Sequence, residues 1–121
     1  MSAEIIDVFD GVLTVKVTGQ LTEPEVNAAQ SRVAGIIRAL GKVRILIRAE
    51  EFAGWEKGGK WNDFSFQEQN DPYIEKMAIV GDRRWEDLAL AFTASFVRPF
   101  PVEYFSSAEL AAARAWLAAD S

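Results

Sequence analysis

The sequence predicts a single α/β domain whose mixed sheet has about five strands and is covered by about four helices. Two β-rich runs at the start of the chain flank Asp10-Gly11, which favours an antiparallel hairpin. Helical and apolar runs then alternate along the chain, which predicts later strands that are parallel and joined by right-handed crossovers. A length of 121 residues, of which 50% are hydrophobic, suits one domain over residues 1–121.

The first half of the chain predicts the hairpin, a long helix and a third strand. In the run Val12–Thr18, hydrophobic residues alternate with polar ones, so one side should face the core. Thr22 is a good N-cap and Glu25 completes a capping box, while Gly41 ends the helix. The third strand is predicted at Val43–Ala49. The residues expected to face the core are Leu13, Val15 and Val17 in the hairpin and Val26, Ala29, Val33, Ile36, Ile37 and Leu40 in the helix.

A short apolar run followed by a glycine organises the second half. Met77–Val80 predicts a strand covered on both faces, Gly81 permits a tight exit and Asp82 caps the next helix. Ligands favour the carboxyl ends of such strands, so the turn that continues into Arg83 and Arg84 is the first candidate site. Helix capping alone also explains every residue of this turn. The apolar stripe of the following helix comprises Trp85, Leu88, Ala89, Phe92 and Phe96.

The remaining segments complete the alternation of strands and helices. Glu50–Lys60 is predicted to be a loop because it contains three glycines, and Trp61–Gln69 is predicted to be a helix. Val102–Phe105 is the last strand, and Ser106 or Ser107 caps a final helix. The apolar face of that helix comprises Leu110, Ala113, Trp116 and Leu117.

The composition excludes several kinds of chemistry, because the sequence contains neither histidine nor cysteine. It therefore lacks the usual general base near neutral pH, the commonest metal ligand and any thiolate, and we expect no cofactor or metal. A net charge of −5 without a basic run argues against nucleic-acid binding. No apolar stretch approaches the length of a membrane span and no secretory leader is evident, so we expect a cytoplasmic protein.

The predicted loop and the predicted turn should lie side by side if both strands before them are parallel. Adjacent residues of an extended chain point apart, so Glu50 and Glu51 do not form an acid/base pair. Phe52 and Trp55 belong to an aromatic cluster in this segment that is explained either by core or subunit contacts or by an exposed interface or pocket. Our hypothesis is that both lie in the loop, so that their replacement by alanine weakens association or ligand uptake and leaves the fold intact. The predicted ligand or partner surface comprises Glu50, Glu51, Phe52, Trp55, Trp61, Gly81, Asp82, Arg83 and Arg84, and no catalytic residue is assigned.

Five segments together carry a resemblance to a known family over nearly the whole chain. They are the Asp10-Gly11 hairpin, the Thr22–Leu40 helix, Phe52–Trp55, Met77–Trp85, and Val102–Phe105 with Ala112–Leu117. The chain resembles the SpoIIAA-like proteins, a branch of the small STAS-type or STAS/SEC14-like domains. The resemblance implies a mixed sheet of about five strands, the same class that the alternation of elements predicts, and no known enzyme activity.

The resemblance does not carry over the phosphorylation site of the STAS anti-sigma antagonists. Those proteins are phosphorylated on a serine or threonine in the loop after the third strand. The corresponding segment here is Glu50–Trp55, which contains no hydroxyl residue.

Two classes of function follow from these observations. The first is a non-enzymatic interaction or regulatory domain, expected to form a homodimer or to bind a protein partner. The alternative is a carrier of a small apolar or amphipathic anion, with Arg83 or Arg84 facing its charged end. An enzyme comes third. An apolar surface covered in a dimer favours the first, a closed apolar cavity the second, and convergent carboxylates with raised pKa values the third.

Overall fold

The computed structural model describes residues 3–9, 11–55, 71–87, 90 and 100–119. The strands are β1 (Ala3–Phe9), β2 (Val12–Leu21), β3 (Val43–Trp55), β4 (Ile74–Gly81) and β5 (Val102–Ser106). They lie side by side in chain order, with β1 antiparallel to β2 and the later neighbours parallel to each other. The predicted α/β class and the mixed sheet with an N-terminal hairpin are confirmed.

Two α-helices, α1 (Glu23–Leu40) and α2 (Leu110–Ala118), have their bounds within the described ranges, so about four helices are not confirmed there. After Asp82 the chain makes a 3-10 turn over Arg83–Trp85 and is helical again at residues 86, 87 and 90. The turn is tight because the Trp85 N–H donates to the Asp82 carbonyl at 3.0 Å, three residues back. The rest of that predicted helix, and the helix predicted at Trp61–Gln69, lie outside the described residues.

Strand β3 is longer than predicted and includes the first part of the predicted loop. The sequence places its end at Ala49, but pairing with the last residues of β2 keeps it extended to Trp55. This extension is irregular, since β3 has one extra residue between Ala49 and Phe52 and another between Phe52 and Gly54. Such β-bulges let a strand with a loop-like sequence remain in a sheet.

One face of the sheet, which we call the α1 face, is covered by α1. The helix starts as predicted, because the Glu25 N–H donates to the Thr22 hydroxyl oxygen at 3.4 Å, and it ends at Gly41 with φ of 91°. Leu40, predicted to lie in its buried stripe, is instead half exposed because it lies in the last turn of the helix. The buried residues on this face include Leu13, Val15, Val17, Ile45, Met77 and Ile79 of the sheet and Val33 and Ile37 of α1.

The opposite face, which we call the α2 face, is covered by α2, and fewer of the described residues are buried there. Leu46, Ala78 and Val80 of the sheet are buried there against Ala113 and Leu117 of the helix. Two cations from neighbouring strands reach the C-terminal end of α2. The Arg44 guanidinium donates to the carbonyls of Leu117 and Ala119, and the Lys76 ammonium donates to those of Trp116 and Ala119.

Candidate functional site

The turn after β4 lies at the carboxyl end of the parallel strands, where the sequence predicts a ligand surface. Gly81 is buried between β3 and β5. A Cβ atom there would lie 2.9 Å from the Tyr104 hydroxyl oxygen and 3.1 Å from the Ala49 Cβ. Glycine is therefore required by close packing, and Gly81 offers no side chain to a ligand.

Asp82 holds the turn through both its side chain and its main chain. Its carboxylate accepts a hydrogen bond from the Arg84 N–H at 2.9 Å, so it acts as the predicted cap. Its main-chain carbonyl accepts one from the Tyr104 hydroxyl at 2.7 Å. Burial, followed by the negative charges of Asp82 and Glu86, raises the pKa of Tyr104, which keeps this phenol protonated as a donor.

Arg83 joins the turn to the start of α2. Its guanidinium donates to Glu86 at 2.9 Å, to Glu109 at 3.0 Å and to the Tyr104 carbonyl at 3.3 Å. The hydrogen bond to Glu86 is the main cause of a raised pKa of Arg83. Because two carboxylates already neutralise this cation, it is a poor receptor for an external anion.

Glu109 completes this network from the other side. Its carboxylate accepts the Ser106 N–H at 2.8 Å as part of a capping box. Hydrogen bonds from the Ser106 main chain and side chain, and then the charge of Arg83, lower the pKa of Glu109. Sequence reasoning did not assign Glu109 or Tyr104 to the site, although the spacing Ser106-x-x-Glu109 is itself the signal of a capping box.

Arg84 lies over an aromatic ring and forms an exposed ion pair, with its Nε atom 4.0 Å from an oxygen of the Asp82 carboxylate. Its side chain is 69% exposed, and its guanidinium carbon lies 5.1 Å from the Trp85 ring. The Trp85 ring packs edge-on against Phe52, with ring centroids 5.2 Å apart. A Cβ at Gly54 would lie 3.2 Å from the Trp85 ring, so the indole rests directly on the β3 backbone. The turn and the end of β3 are thus side by side, as predicted.

The structure places the other predicted surface residues differently. Phe52 is only 8% exposed and belongs to the core of the α1 face, so the prediction that it lies in a loop outside the core is wrong. Its burial follows from the extension of β3, which directs it toward Trp85. The backbones of Glu50, Glu51 and Trp55 form part of β3. Their side chains, and Trp61 as a whole, lie outside the described part of the structure.

The described residues hold no group of three or more acidic side chains placed to bind a metal ion. None of the described helices is long and apolar enough to cross a membrane. The turn provides a polar surface whose charged groups mostly pair with one another, next to a partly buried tryptophan.

These features define a small α/β domain with a five-stranded mixed sheet in chain order and a helix on each face. The chain belongs to the SpoIIAA-like family, whose model matches residues 12–118, and the resemblance stated from the sequence is confirmed. It is similar to an uncharacterised protein of the DUF3478 family with a SpoIIAA-like fold from Shewanella loihica PV-4. The two share 19% sequence identity with a TM-score of 0.71, over 96% of this chain and 92% of that one. A comparison with curated proteins finds no match.

Proposed function

We propose that this chain is a non-catalytic interaction domain that associates with a second copy of itself. The observation that carries the proposal is the contrast between its polar turn and its exposed apolar side chains. At the turn, Asp82 accepts the Arg84 N–H, Arg83 donates to Glu109 and Glu109 accepts the Ser106 N–H, so these polar groups bind within the chain. Elsewhere the large apolar side chains of Ile6, Val8, Leu40 and Tyr73 are exposed, and a partner that covers them would remove apolar surface from water.

The chemistry available at the turn supports a binding role over catalysis. A carboxylate acting as general acid near neutral pH needs a raised pKa, whereas the pKa of Glu109 is lowered. The sequence contains no histidine or cysteine that could act as a general acid instead. Arg83 is held between two carboxylates, which fixes the turn against β5 and α2 but leaves little positive charge to orient a substrate.

The exposed large apolar residues that support self-association are Ile6 (43%), Val8 (42%), Leu40 (51%) and Tyr73 (47%). Leu40 ends α1 and Tyr73 precedes β4, so both lie near the amino-terminal edge of the parallel strands, away from the turn. Ile6 and Val8 lie in β1, which is at the edge of the sheet. The apolar surface and the polar turn are therefore separate regions.

Sedimentation equilibrium over a dilution series tests this function, with native mass spectrometry on the same samples. We expect a reversible dimer whose mass equals two chains with nothing added. A chain that stays monomeric at every accessible concentration would contradict self-association. Since mass action governs a dimer, the dimer fraction must fall on dilution rather than stay constant.

A carrier of a small amphipathic anion is the second candidate, and one observation favours it. The exposed Arg84 guanidinium lies over the Trp85 ring at the carboxyl ends of the strands, which combines a charge with an apolar support. If this function holds, native mass spectrometry shows a reproducible added mass that disappears in Arg84→Ala. Arg114→Ala, which removes an exposed arginine on α2, is the matched control and should retain that mass.

A further inference from the structure

We propose that α2, together with the 3-10 turn before it, is a hinged cover that opens while the rest of the sheet stays folded. Residues 107–118, which we call the α2 cover, hide the ammonium of Lys76 and the core of the α2 face. Such a motion takes place within one chain and does not depend on self-association.

The apolar contact between the α2 cover and the sheet is small. In α2 only Ala113 and Leu117 are buried, and Leu110 and Trp116 are partly buried beside them. The remaining residues of the helix, four alanines and Arg114, are exposed. Because a buried alanine removes little apolar area from water, apolar burial gives this helix only a weak hold on the sheet.

The ion pair at the start of the α2 cover is exposed and adds little. Arg83 lies 3.0 Å from Glu109, and their side chains are 50% and 45% exposed. Water screens such a pair, so it does not fix the cover strongly. Strand β5 ends and the cover begins at Ser106. Since hinges are commonly residues at the ends of elements, Ser106 is the expected hinge.

The contacts at the end of the α2 cover include a buried cation. The Lys76 ammonium and the Arg44 guanidinium both donate to the Ala119 carbonyl, at 3.0 Å and 2.9 Å. Lys76 is only 4% exposed, and within the described ranges its ammonium donates only to this end of the helix. Closing therefore takes a charged group out of water, and the helix carbonyls that bind it offset this cost. Because opening returns the ammonium to water, the closed state is favoured by a small difference.

The rest of the domain keeps its core when the α2 cover opens. Among the described residues, the core of the α1 face contains none from the cover. The pairing of β2, β3, β4 and β5 does not involve the cover either. Regions with few buried apolar contacts open at a lower free energy than the core, so the cover should open separately. The open state exposes the apolar side chains of Leu46, Ala78 and Val80 beside the cations Arg44 and Lys76.

Thiol labelling can detect this opening because the chain contains no cysteine. Val80 lies on the α2 face and Val17 on the α1 face, and they are 6% and 7% exposed, so Val80→Cys and Val17→Cys form a matched pair. We expect the thiol of Val80→Cys to react with dithiobisnitrobenzoate more than about tenfold faster, since local opening suffices. Its rate should also rise less steeply with urea, because local opening exposes less surface than global unfolding. Equal rates with equal urea dependence would overturn the proposal.

Two further substitutions separate local from global opening. Ile37→Ala weakens the α1 face, so it should accelerate labelling of Val17→Cys more than about tenfold and leave Val80→Cys within about twofold. Lys76→Met removes the donor at the end of the cover and should accelerate labelling of Val80→Cys more than about fivefold. If Ile37→Ala accelerated both thiols equally, the α2 face would open only with the whole domain. If Lys76→Met left the Val80→Cys rate unchanged, that thiol would not depend on the cover, and the proposal would fail.

Discussion

The two faces of the sheet are covered in different ways. The α1 face is covered by a helix of 18 residues, and its buried core takes side chains from β2, β3, β4 and β5. The α2 face is covered by a helix of 9 residues, of which only Ala113 and Leu117 are buried. The smaller helix is also held by Arg44 and Lys76, which bind the carbonyls at its C-terminal end. Where apolar contact is small, directed hydrogen bonds from cations supplement it.

Lys76 shows how a buried cation binds the C-terminal end of α2. Its residue is only 4% exposed, and its ammonium donates to the carbonyls of Trp116 at 2.8 Å and Ala119 at 3.0 Å. The same ammonium lies 4.9 Å from the centre of the Trp116 ring. The helix C-terminus carries partial negative charge on its free carbonyls, and the aromatic face adds to it. A buried cation is therefore complemented by dipoles of the helix that it anchors.

The largest effect is expected from a cavity on the α1 face. Ile37→Ala should lower the free energy of unfolding by about 2–5 kcal/mol, because Ile37 is almost fully buried and its removal leaves a void. Urea denaturation measures this. Leu40→Ala, one turn later and half exposed, is the matched control and should cost much less. Equal losses for the two variants would mean that the α1 face does not depend on tight packing.

A smaller and more local effect is expected on the α2 face. Lys76→Met keeps most of the aliphatic stem but leaves the carbonyls of Trp116 and Ala119 without their donor, at a cost of about 1–3 kcal/mol. Hydrogen exchange should accelerate mainly in α2, because that helix loses its anchor while the α1 face keeps its core. A Lys76→Met protein with unchanged stability and unchanged α2 protection would show that apolar contact alone holds this helix.

The two faces also differ in how much of their packing the sequence alone predicts. The alternation of Leu13, Val15 and Val17 correctly predicts which residues of β2 face the α1 core, although Thr14 on the other side of the strand is buried as well. The anchoring of α2 by Lys76 has no such signal, since it joins residues 40 positions apart. The hairpin, the caps at Thr22 and Asp82 and the core stripes are local properties, whereas long-range contacts depend on the assembled sheet.

The candidate site likewise has features that the sequence predicts and features that depend on long-range contacts. The sequence correctly places the cap at Asp82, but not the burial of Phe52, because glycines make Glu50–Lys60 resemble a loop. Pairing of β3 with the end of β2 overrides that local preference. The neutralisation of Arg83 also depends on Glu109, which is 26 residues away.

At the carboxyl edge of the α1 face, Gly81→Ala tests the tight packing of β4 against β5. We expect a loss of about 1–3 kcal/mol, since the new methyl group meets the Tyr104 hydroxyl and Ala49. In a Tyr104→Phe background the same substitution should cost less, because the hydroxyl oxygen is gone, although the Ala49 contact remains. A double-mutant cycle of urea unfolding measures this coupling. Strictly additive losses would contradict the steric explanation.

The smallest effect is expected from the exposed polar network that joins the turn to α2. Because the pKa of Glu109 is lowered in the folded chain, the folded state favours its charged form. This contribution to stability is therefore complete above the ordinary pKa of 4.5 and is lost as the pH falls through the lower folded value.

Urea unfolding from about pH 7 to about pH 3 measures this dependence across the titration range of carboxylates. Glu109→Gln should reduce the loss of stability in acid, because glutamine has no proton to gain. Glu103→Gln, an exposed carboxylate on β5, is the matched control. If both variants lose stability in acid as the wild type does, the Ser106 and Arg83 contacts of Glu109 do not favour its charged form. The polar network would then contribute less to holding α2 than the buried anchor at Lys76.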